Sequence, residues 1–506
     1  MYLRKIKPSI LFPLFLMIVS FCPAQWSNVT AGIDYQQFNF SPPNEDVYVA
    51  RMSRADTTAF IESSIAGGVY YNTPNETVSG MANRYDGAIN WWGQKWGNRN
   101  KVIAAINGDY WGTGSDSTGF PQSGQVQSGW FARRYAEYTG GSGFVWTVNR
   151  DCFLGGNIRN GTSGSIKQFI QFTNSTATIT HVNIPVDPVS DPNTLELFTP
   201  QYAPHTYTDN NRVEVLVQMT RPNLMFHQSV PSLALGTVKQ ILHSGSTYIP
   251  FDCVVLSGHG TGSTILMNEC SVGQQIGLKM NWEDYGRGYT VPLPSQDWTK
   301  AYASVGGALY CVISSQVPSA DWSGNPGATN RRARTCIAYN STYVYFVVEE
   351  EANQSGTSGM TITELGTFCR DSLNAEFAIA QDGGGSSALW VNGQIKNTPS
   401  DGSERATNNG MMFCLWEPAP FNSTFTTGQL VKTSLAGQIR QGPGSNFPVF
   451  TNTTANQSGT ILGHPLNGIN AKGENWYYWQ SGSITGWTSD SQLSDILNVS
   501  DWEKLK

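Results

Sequence analysis

Short segments in which apolar and polar residues alternate make up most of the chain. Residues 47–49, 102–106 and 343–348 are examples, and alternation over so few positions is typical of half-buried β-strands. Gly, Ser, Thr and Asn separate these segments, as they do in the turns that join strands. The pattern therefore predicts many short strands connected by polar loops.

One amphipathic helix stands out among these segments. Thr361-Ile-Thr-Glu364 has the form of a capping box. Apolar residues behind it fall on one helical face, at Leu365, Phe368, Cys369 and Leu373. The apolar segments 343–348 and 377–380 precede and follow this helix, so the order is strand, loop, helix, strand. From this order we expect an α+β main domain, with mixed β-sheets and helices packed on them.

The first 24 residues have the pattern of a secretory signal peptide. A basic cluster (Arg4, Lys5 and Lys7) precedes the apolar run 10–19, and small residues lead to Ala24. This run is too short to cross a bilayer comfortably. We expect cleavage near Ala24 and a secreted, periplasmic or extracellular protein. The alternatives are a buried N-terminal helix and a lipid anchor at Cys22, which bulky Phe21 disfavours.

Charge and cysteine content limit the partners. The signal segment carries three of the basic residues and no acidic ones, so its removal takes the formal net charge from −6 to about −9. Without a basic block, neither nucleic acid nor anionic membrane is an expected partner. No second apolar run is long enough to span a membrane. Seven cysteines would remain, with no Cys-x-x-Cys spacing, and the sequence leaves their pairing open.

The chain divides near its C-terminal end. Prolines followed by Ser and Thr mark residues 417–428 as a linker, which predicts a main domain over 25–416. A compact unit over 429–493 and a tail over 494–506 follow. Three segments of this unit resemble bacterial SH3-like domains: QIRQGPGSNFPVF (438–450), NWYYW (475–479) and TGW (485–487). The resemblance implies a small β-barrel that binds cell-wall peptide or glycan, with a plain spacer as the alternative.

Three polar clusters, each at the end of a predicted strand, are candidates for chemistry. They are Asn107-Gly108-Asp109-Tyr110-Trp111, Arg331–Thr335 and Asp382–Ser387, with Arg405 and Asn408 soon after. Three consecutive glycines allow close approach of a ligand to the backbone, and their N–H groups suit an anion. Arginine recognises phosphate oxygens through two parallel hydrogen bonds. Ordinary turns and a solvated loop are the plain alternatives for each cluster.

Familiar hydrolase motifs are absent. The sequence has no His-Glu-x-x-His, no Gly-x-Ser-x-Gly and no Walker lysine loop, and its six histidines are scattered. A zinc or serine hydrolase is therefore not expected.

The ordered set of motifs resembles the phosphodiester glycosidase family, which includes the lysosomal enzyme that removes N-acetylglucosamine from a sugar phosphate. The similar strings are VIAAINGDYW (102–111), VLSGHG (255–260), SVGGALYCVISSQV (304–317), RRARTCIAYN (331–340), MTITELGTFCRDSLNAEFAIAQDGGGSSALWVNG (360–393) and ERATNNGMMF (404–413). The resemblance covers roughly residues 30–416 and implies hydrolysis of a sugar-1-phosphodiester bond. The chain departs from the family at Tyr110-Trp111, where two phenylalanines are usual, and over about 145–250.

The chemistry of such a bond assigns roles to the cluster residues. The leaving phosphate needs positive charge, and water needs a base. We predict Asp382, Arg334 and Asp109 as catalytic residues, with Asp382 as the base or as a carboxylate that stabilises a sugar cation. Asp109 and Glu364 are alternates for that role, although Glu364 also fits the capping box. The predicted substrate-binding residues are Asn107, Thr335, Gly383, Gly384, Gly385, Ser386, Ser387, Arg405, Asn408 and Glu364.

No cofactor is required by this scheme. A calcium ion near Asp109 and Asp382 is compatible with oxygen-rich loops, but no spacing demands one. Two other functions remain open: a secreted glycan-binding or cell-wall-binding protein without turnover, and a hydrolase of another glycan linkage anchored by the SH3-like unit.

Overall fold

The structure is a computed structural model. It describes residues 25–40, 45–112, 121–133, 143–155, 157–160, 168–184, 189–222, 225–227, 233–285, 296–307, 309–322, 324–351 and 359–496. The expected signal peptide (1–24) lies outside these residues, as do residues 497–506 of the expected tail.

The fold is mostly β, so the expectation of an α+β main domain was wrong. Strands hold 45% of the residues and helices only 12%. The predicted helix exists, but it covers one face of one sheet, while the other sheets are covered mainly by further sheets. The sequence has one clear helix, but most of the core contacts in the main domain join strands.

Two antiparallel sheets form the centre of the main domain. The first contains, in spatial order, Ser27–Thr30, Ile33–Phe40, Glu45–Ser53, Tyr343–Glu349, Arg334–Tyr339, Phe377–Ala380 and Tyr310–Val312. The second contains Gln394–Ile395, Leu389–Val391, Asn98–Asn107, Asn409–Pro418 and Ala59–Ile65, with Ile89–Asn90 paired to Asn98–Asn107. Their apolar faces share one core, in which the rings of Phe346 and Phe413 stack with centroids 3.7 Å apart. Such face-to-face packing is the arrangement of a β-sandwich.

Two further sheets flank this sandwich. One contains Cys152–Leu154, Phe144–Thr147, Ala301–Val305, Gln125–Gln127 and Trp130–Arg133. The larger contains Thr176–Thr178, Phe169–Gln171, Gln275–Tyr285, Ala234–Leu242, Val213–Met219, Cys253–Gly258, Leu195–Phe198 and His181–Val182, with Asn157–Asn160 and Met225–His227 also paired to Gln275–Tyr285. Residues of both sheets pack in a second core.

The helices of the described residues are short. The α-helices are Val78–Tyr85, Thr261–Glu269, Pro326–Thr329 and Ile362–Leu373; the 3-10 turns are Ala66–Gly68, Trp298–Lys300, Ser319–Trp322, Gly384–Ser386 and Asp490–Gln492. The capping box of Ile362–Leu373 is confirmed, since Thr361 and Glu364 make both of its hydrogen bonds. Within the described part of the chain, no helix is long and apolar enough to cross a membrane.

The C-terminal residues form a separate sheet that packs on the main domain. Its strands are Val449–Thr453, Gly437–Arg440, Ile484–Ser489, Glu474–Ser481, Ser458–Ile461, Leu430–Thr433 and Leu493–Asp495, with Ile469–Ala471 paired to Glu474–Ser481. The buried Gln441 amide donates to the carbonyls of Pro200, Ala203 and Ile249 at 2.8–3.1 Å. These hydrogen bonds hold the C-terminal sheet against the main domain. That it is an SH3-like barrel stays a prediction.

The cysteines contribute to the cores as thiols. All seven in the described residues are unpaired, at positions 152, 253, 270, 311, 336, 369 and 414. The sulfur atoms of Cys336 and Cys369 lie 4.0 Å apart. The cores are thus built by packing without cross-links.

Candidate active site

The predicted clusters meet where the ends of three sheets converge. Strand Asn98–Asn107 leads to Asp109, strand Phe377–Ala380 of the facing sheet leads to Asp382, and strand Ala301–Val305 ends beside them. The Asp382 N–H donates to the Gly108 carbonyl at 2.9 Å and so joins the first two ends. Residues far apart in sequence are in this way held in one place.

Asn107 connects the two sheets. Its Nδ2 donates to the Asp382 carbonyl at 2.8 Å, and its Oδ1 accepts from Thr335 Oγ1 at 2.8 Å and from the Ala388 N–H at 3.2 Å. Both Asn107 and Thr335 are fully buried. The polar side-chain atoms of Asn107 and Thr335, predicted to hold sugar hydroxyls, are therefore bound to the protein itself.

Asp109 is a buried carboxylate with two backbone donors. Its oxygens accept the N–H groups of Tyr110 at 2.8 Å and Ser123 at 2.7 Å. Only 2% of the residue is exposed. Burial raises the pKa of Asp109 to about 6, and the charge of Asp382 adds to the rise. Gly306 permits this position, because a Cβ there would lie 2.2 Å from Asp109 Oδ2.

Asp382 is the more accessible of the two carboxylates, with 9% of the residue exposed. Its Oδ1 accepts the Gly383 N–H at 2.9 Å. Burial raises the pKa of Asp382, while Ser386, the Gly383 N–H and Arg405 act in the opposite direction. The Ser386 hydroxyl thus favours the ionised carboxylate, although it falls short of full hydrogen-bond geometry. Two carboxyl groups with raised pKa values next to each other are typical of acid–base sites.

The glycine cluster forms a tight turn whose N–H groups are mostly engaged. Those of Gly383, Gly384, Ser386 and Ser387 donate within the turn or to the Ala333 carbonyl. The Gly385 N–H has no partner among the described residues. The predicted anion cradle is therefore reduced to one backbone donor and to the Ser386 and Ser387 hydroxyls, both buried without a hydrogen-bond partner in the described residues.

Arg334 is buried, and its side chain connects backbone segments around the site. Its guanidinium donates to three backbone carbonyls: Met360 at 2.8 Å, Gly327 at 2.9 Å, and Asn330. Burial lowers the pKa of Arg334, and Tyr110 opposes that shift. Two of the five guanidinium N–H groups have no partner among the described residues. The side chain lies beside Gly383, since a Cβ at that position would lie 3.8 Å from Arg334 Nη1.

Arg405 is the exposed cation of the site. Its Nε and Nη2 bind Asp401 Oδ2 at 2.7 and 2.6 Å, and 42% of its side chain is exposed. The pair lies against Gly385, where a Cβ would be 2.2 Å from Arg405 Nη2. Asn408 is buried nearby, and its carbonyl accepts the Ala66 N–H.

Glu364 does not join this group. Its carboxylate closes the capping box with Thr361 and pairs with Arg331 at the start of the helix. Of the two roles considered from the sequence, these contacts correspond to the capping box at the start of the helix.

Two residues that sequence reasoning did not select belong to the site. Asn409, fully buried, accepts the Asp109 N–H at 2.9 Å and donates to Gln125 at 2.8 Å. Tyr110 is 37% exposed, and the charges of Asp382 and Asp109 help burial to raise its pKa, which Arg334 lowers. Its position directly after Asp109 was the available clue, because an aromatic residue beside a catalytic loop is suited to contact a substrate. Asn409 gave no such clue, since its role depends on a strand 300 residues away.

The described residues contain no group of three or more His, Cys, Asp and Glu side chains that could hold a metal ion. The calcium ion considered near Asp109 and Asp382 stays a prediction.

Comparison with known proteins gives one family match. The family model described as phosphodiester glycosidase matches residues 264–414. This segment includes Arg334, the Asp382–Ser387 turn and Arg405, but not Asn107 or Asp109. The expected resemblance is confirmed over this segment, and its extension to residues 30–263 stays a prediction. No curated protein matches the chain.

Three solved structures have distant similarity to the chain. A hypothetical protein from Synechocystis is 15% identical with a TM-score of 0.47, and the alignment covers 78% of this chain and 64% of that one, less than two thirds of its length. A putative exported protein from Burkholderia pseudomallei is 16% identical with a TM-score of 0.47, covering 73% and 74%. The zebrafish N-acetylglucosamine-1-phosphodiester alpha-N-acetylglucosaminidase catalytic domain, auto-inhibited by its pro-peptide, is 12% identical with a TM-score of 0.33, covering 77% and 86%.

Proposed function

We propose that the chain is a hydrolase that cleaves the bond between a sugar and a phosphodiester. One observation carries the proposal: the segment that matches the phosphodiester glycosidase model brings Asp382 and Arg405 to the buried carboxylate of Asp109. Two carboxyl groups and an exposed arginine are the groups that this reaction needs.

The leaving group sets the requirements. When the bond between the anomeric carbon and the phosphate oxygen breaks, the phosphate departs as a stable anion and keeps the bonding electrons. A strong general acid, as in ordinary glycosidases, is then less necessary. Arg405, the Gly385 N–H and the Ser386 and Ser387 hydroxyls lie together at the turn and supply donors for the departing oxygens.

Water completes the reaction. Its oxygen forms a new bond to the anomeric carbon, and its proton passes to a carboxylate. Asp382 is the proposed base because it is the more accessible carboxylate and has the charge of Arg405 nearby. Asp109, with both oxygens held by N–H groups, contributes negative charge toward the positively charged sugar ring of the transition state. Tyr110, which is partly exposed beside the two carboxylates, is the proposed contact for the sugar ring.

The test is a panel of methyl phosphodiesters of different sugar 1-phosphates, with release of free sugar as the readout. The Asp382→Asn variant should lower the rate by about two to four powers of ten, and its thermal unfolding should match the wild type. Asp371→Asn is the matched control, because Asp371 is exposed and paired with Arg370 on the remote helix. Wild-type rates in a folded Asp382→Asn variant would make Asp382 a turn residue only. No turnover of any member by the wild type would refute the activity.

We also propose that the protein is exported and acts on a surface or extracellular glycan. The charge order and apolar run of residues 1–24 support this. Mass spectrometry of the secreted material should find an N-terminus at or near Gln25, and an uncleaved cytoplasmic chain would contradict it.

A further inference from the structure

A loop near the C-terminal sheet displays a tyrosine in an unusual backbone conformation. Tyr207 has φ +52°, in the left-handed region, and 47% of the residue is exposed. Bulky residues seldom adopt this conformation, because it brings Cβ close to the following carbonyl. Core packing does not explain the strain, since much of the ring faces solvent.

A buried carboxylate holds the loop in place. Glu214, fully buried, accepts hydrogen bonds from Thr206 Oγ1 at 3.1 Å and from Thr208 Oγ1 at 2.7 Å, on either side of Tyr207. It also accepts the Thr247 N–H at 2.9 Å. Strain of this kind persists where surrounding contacts fix the backbone, and it is concentrated at functional sites. The loop is therefore built to present Tyr207 outward.

Tyr207 belongs to a row of partly exposed rings. Its ring stacks on Tyr71 with centroids 5.1 Å apart and planes at 26°. His205 lies 5.6 Å from Tyr207, and Phe450 of the C-terminal sheet lies 4.9 Å from His205. We call these four residues the aromatic platform. Burial lowers the pKa of His205 and so favours its uncharged form.

The aromatic platform is connected to the candidate active site by one short segment. The Ala66 N–H donates to the Asn408 carbonyl at the site, and five residues later the Tyr71 N–H donates to the Tyr202 carbonyl. Five residues of chain span at most about 18 Å, so the aromatic platform lies within the length of a short oligosaccharide from the site.

We propose that the aromatic platform is a second binding site, which holds the sugar rings of a glycan chain. The two faces of a pyranose ring expose C–H groups, which pack on an aromatic face, while its hydroxyls point to the rim and bind water. An uncharged imidazole among tyrosine and phenylalanine rings suits a neutral glycan. That this glycan is part of the substrate rests on the proposed function; the binding itself does not. A proline-rich peptide also packs on aromatic rings, but the short path to a sugar-phosphate site favours the glycan.

Calorimetric titration tests the platform with three soluble probes: chitohexaose, cellohexaose and maltohexaose. At least one should bind the full chain. Tyr207→Ala should weaken that binding by about tenfold, which is the upper range for loss of one stacking contact. Tyr207→Phe should bind as the wild type does. Phe421→Ala removes another exposed ring outside the platform, and it should leave binding unchanged.

Tyr207→Gly separates the effect of losing the exposed ring from the effect of backbone strain. Glycine adopts φ +52° without strain, whereas alanine does not. The Gly variant should therefore unfold at a higher temperature than the Ala variant, while both lose binding equally. Failure of all three hexasaccharides to bind, or equal binding by Tyr207→Ala, would overturn the proposal. Binding of decaproline alone would overturn it in favour of a peptide.

The same variants keep the two proposals apart. Turnover of a methyl phosphodiester of one sugar should be unchanged in Tyr207→Ala, because that substrate is too short to reach the rings. If the protein binds a hexasaccharide but cleaves no phosphodiester, the platform proposal stands and the proposed activity is refuted. If the protein cleaves a phosphodiester but binds no hexasaccharide, only the platform proposal is refuted.

Discussion

At the residue scale, burial controls the ionisation of carboxyl groups in the main domain. Loss of solvation raises the pKa of Glu62 to about 7 and that of Asp109 to about 6. Asp109 lies at the candidate active site. Glu62 does not, and its oxygens accept from the Ser63 and Ser128 N–H groups, the Ser128 hydroxyl and Tyr302. The same physical cause thus raises the pKa of a proposed catalytic carboxylate and of one bound only within the fold.

Glu62→Gln should stabilise the protein at alkaline pH. The new Oε1 can keep both N–H donors, and the Ser128 and Tyr302 hydroxyls can rotate to accept from the new amide. The folded pKa of Glu62 lies above the unfolded value of about 4.3. Its favourable contribution is therefore complete below that value and is lost as pH rises through about 7. Glutamine has no such loss, so its advantage should be about 1–3 kcal/mol greater at pH 8 than at pH 5.

Denaturant unfolding at the two pH values measures this difference, and phosphodiester turnover should be unaffected. Glu404→Gln is a control, because Glu404 is only partly buried and binds Ser79. A pH-independent effect of Glu62→Gln would show that the carboxylate stays ionised in the fold.

The two arginines of the site should respond differently to lysine. Arg334→Lys cannot reach the carbonyls of Gly327, Asn330 and Met360 at once, so it should cost about 2–3 kcal/mol of stability. Arg405→Lys keeps an exposed charge and should leave the unfolding temperature unchanged, while weakening phosphate recognition and slowing turnover. Thermal unfolding and initial rates of both variants give the comparison. A stable but inactive Arg334→Lys would instead assign that guanidinium to the substrate.

Sequence reasoning located these residues but not their contacts. The polar clusters are visible because each follows an apolar strand, and the fold brings Asp109, Asp382 and Arg405 together. The hydrogen bonds of Arg334 and of the glycine turn depend on contacts between separate segments: Arg334 donates to Gly327, and Gly384 donates to Ala333. Local spacing has no information about such partners.

At the element scale, the start of the helix Ile362–Leu373 links a local motif to the site. Thr361 Oγ1 accepts the Glu364 N–H, and the preceding Met360 carbonyl accepts from Arg334. Capping boxes are readable in sequence because all their contacts lie within four residues. Sheet order is not, since neighbouring strands such as Glu45–Ser53 and Tyr343–Glu349 are far apart in sequence. This difference explains why the helix was predicted correctly and the fold class was not.

Thr361→Ala should lower the free energy of unfolding by about 1 kcal/mol, the usual cost of losing an N-cap hydroxyl. Thr363→Ala is the matched control, because Thr363 is exposed on the same first turn and its side chain makes no cap. Denaturant titration of both variants measures the difference. Equal stabilities would mean that the rest of the fold, and not the cap, fixes the helix start.

At the scale of the whole molecule, the C-terminal sheet is the part whose independence is open to test. The sequence predicts that residues 429–493 fold alone. Phe425, however, packs on Tyr477 with ring centroids 5.2 Å apart, and the Tyr477 hydroxyl donates to the Asn422 carbonyl at 2.6 Å. A fragment that begins at residue 419 should therefore unfold at a higher temperature than one that begins at 429. Tryptophan fluorescence during heating measures the unfolding of both fragments. If neither fragment shows a cooperative transition, the C-terminal sheet depends on its contacts with the main domain, such as those of Gln441.

The convergence of three sheet ends has a consequence for timing. Asp109 is fixed by Asn409, at the start of a strand that must pair with Asn98–Asn107 across about 300 residues. Pairings of such long sequence separation form late in folding. During synthesis, the site is therefore incomplete until nearly all of the main domain has emerged. In a refolding sample, the contact between Asp109 and Asn409 should be among the last to form.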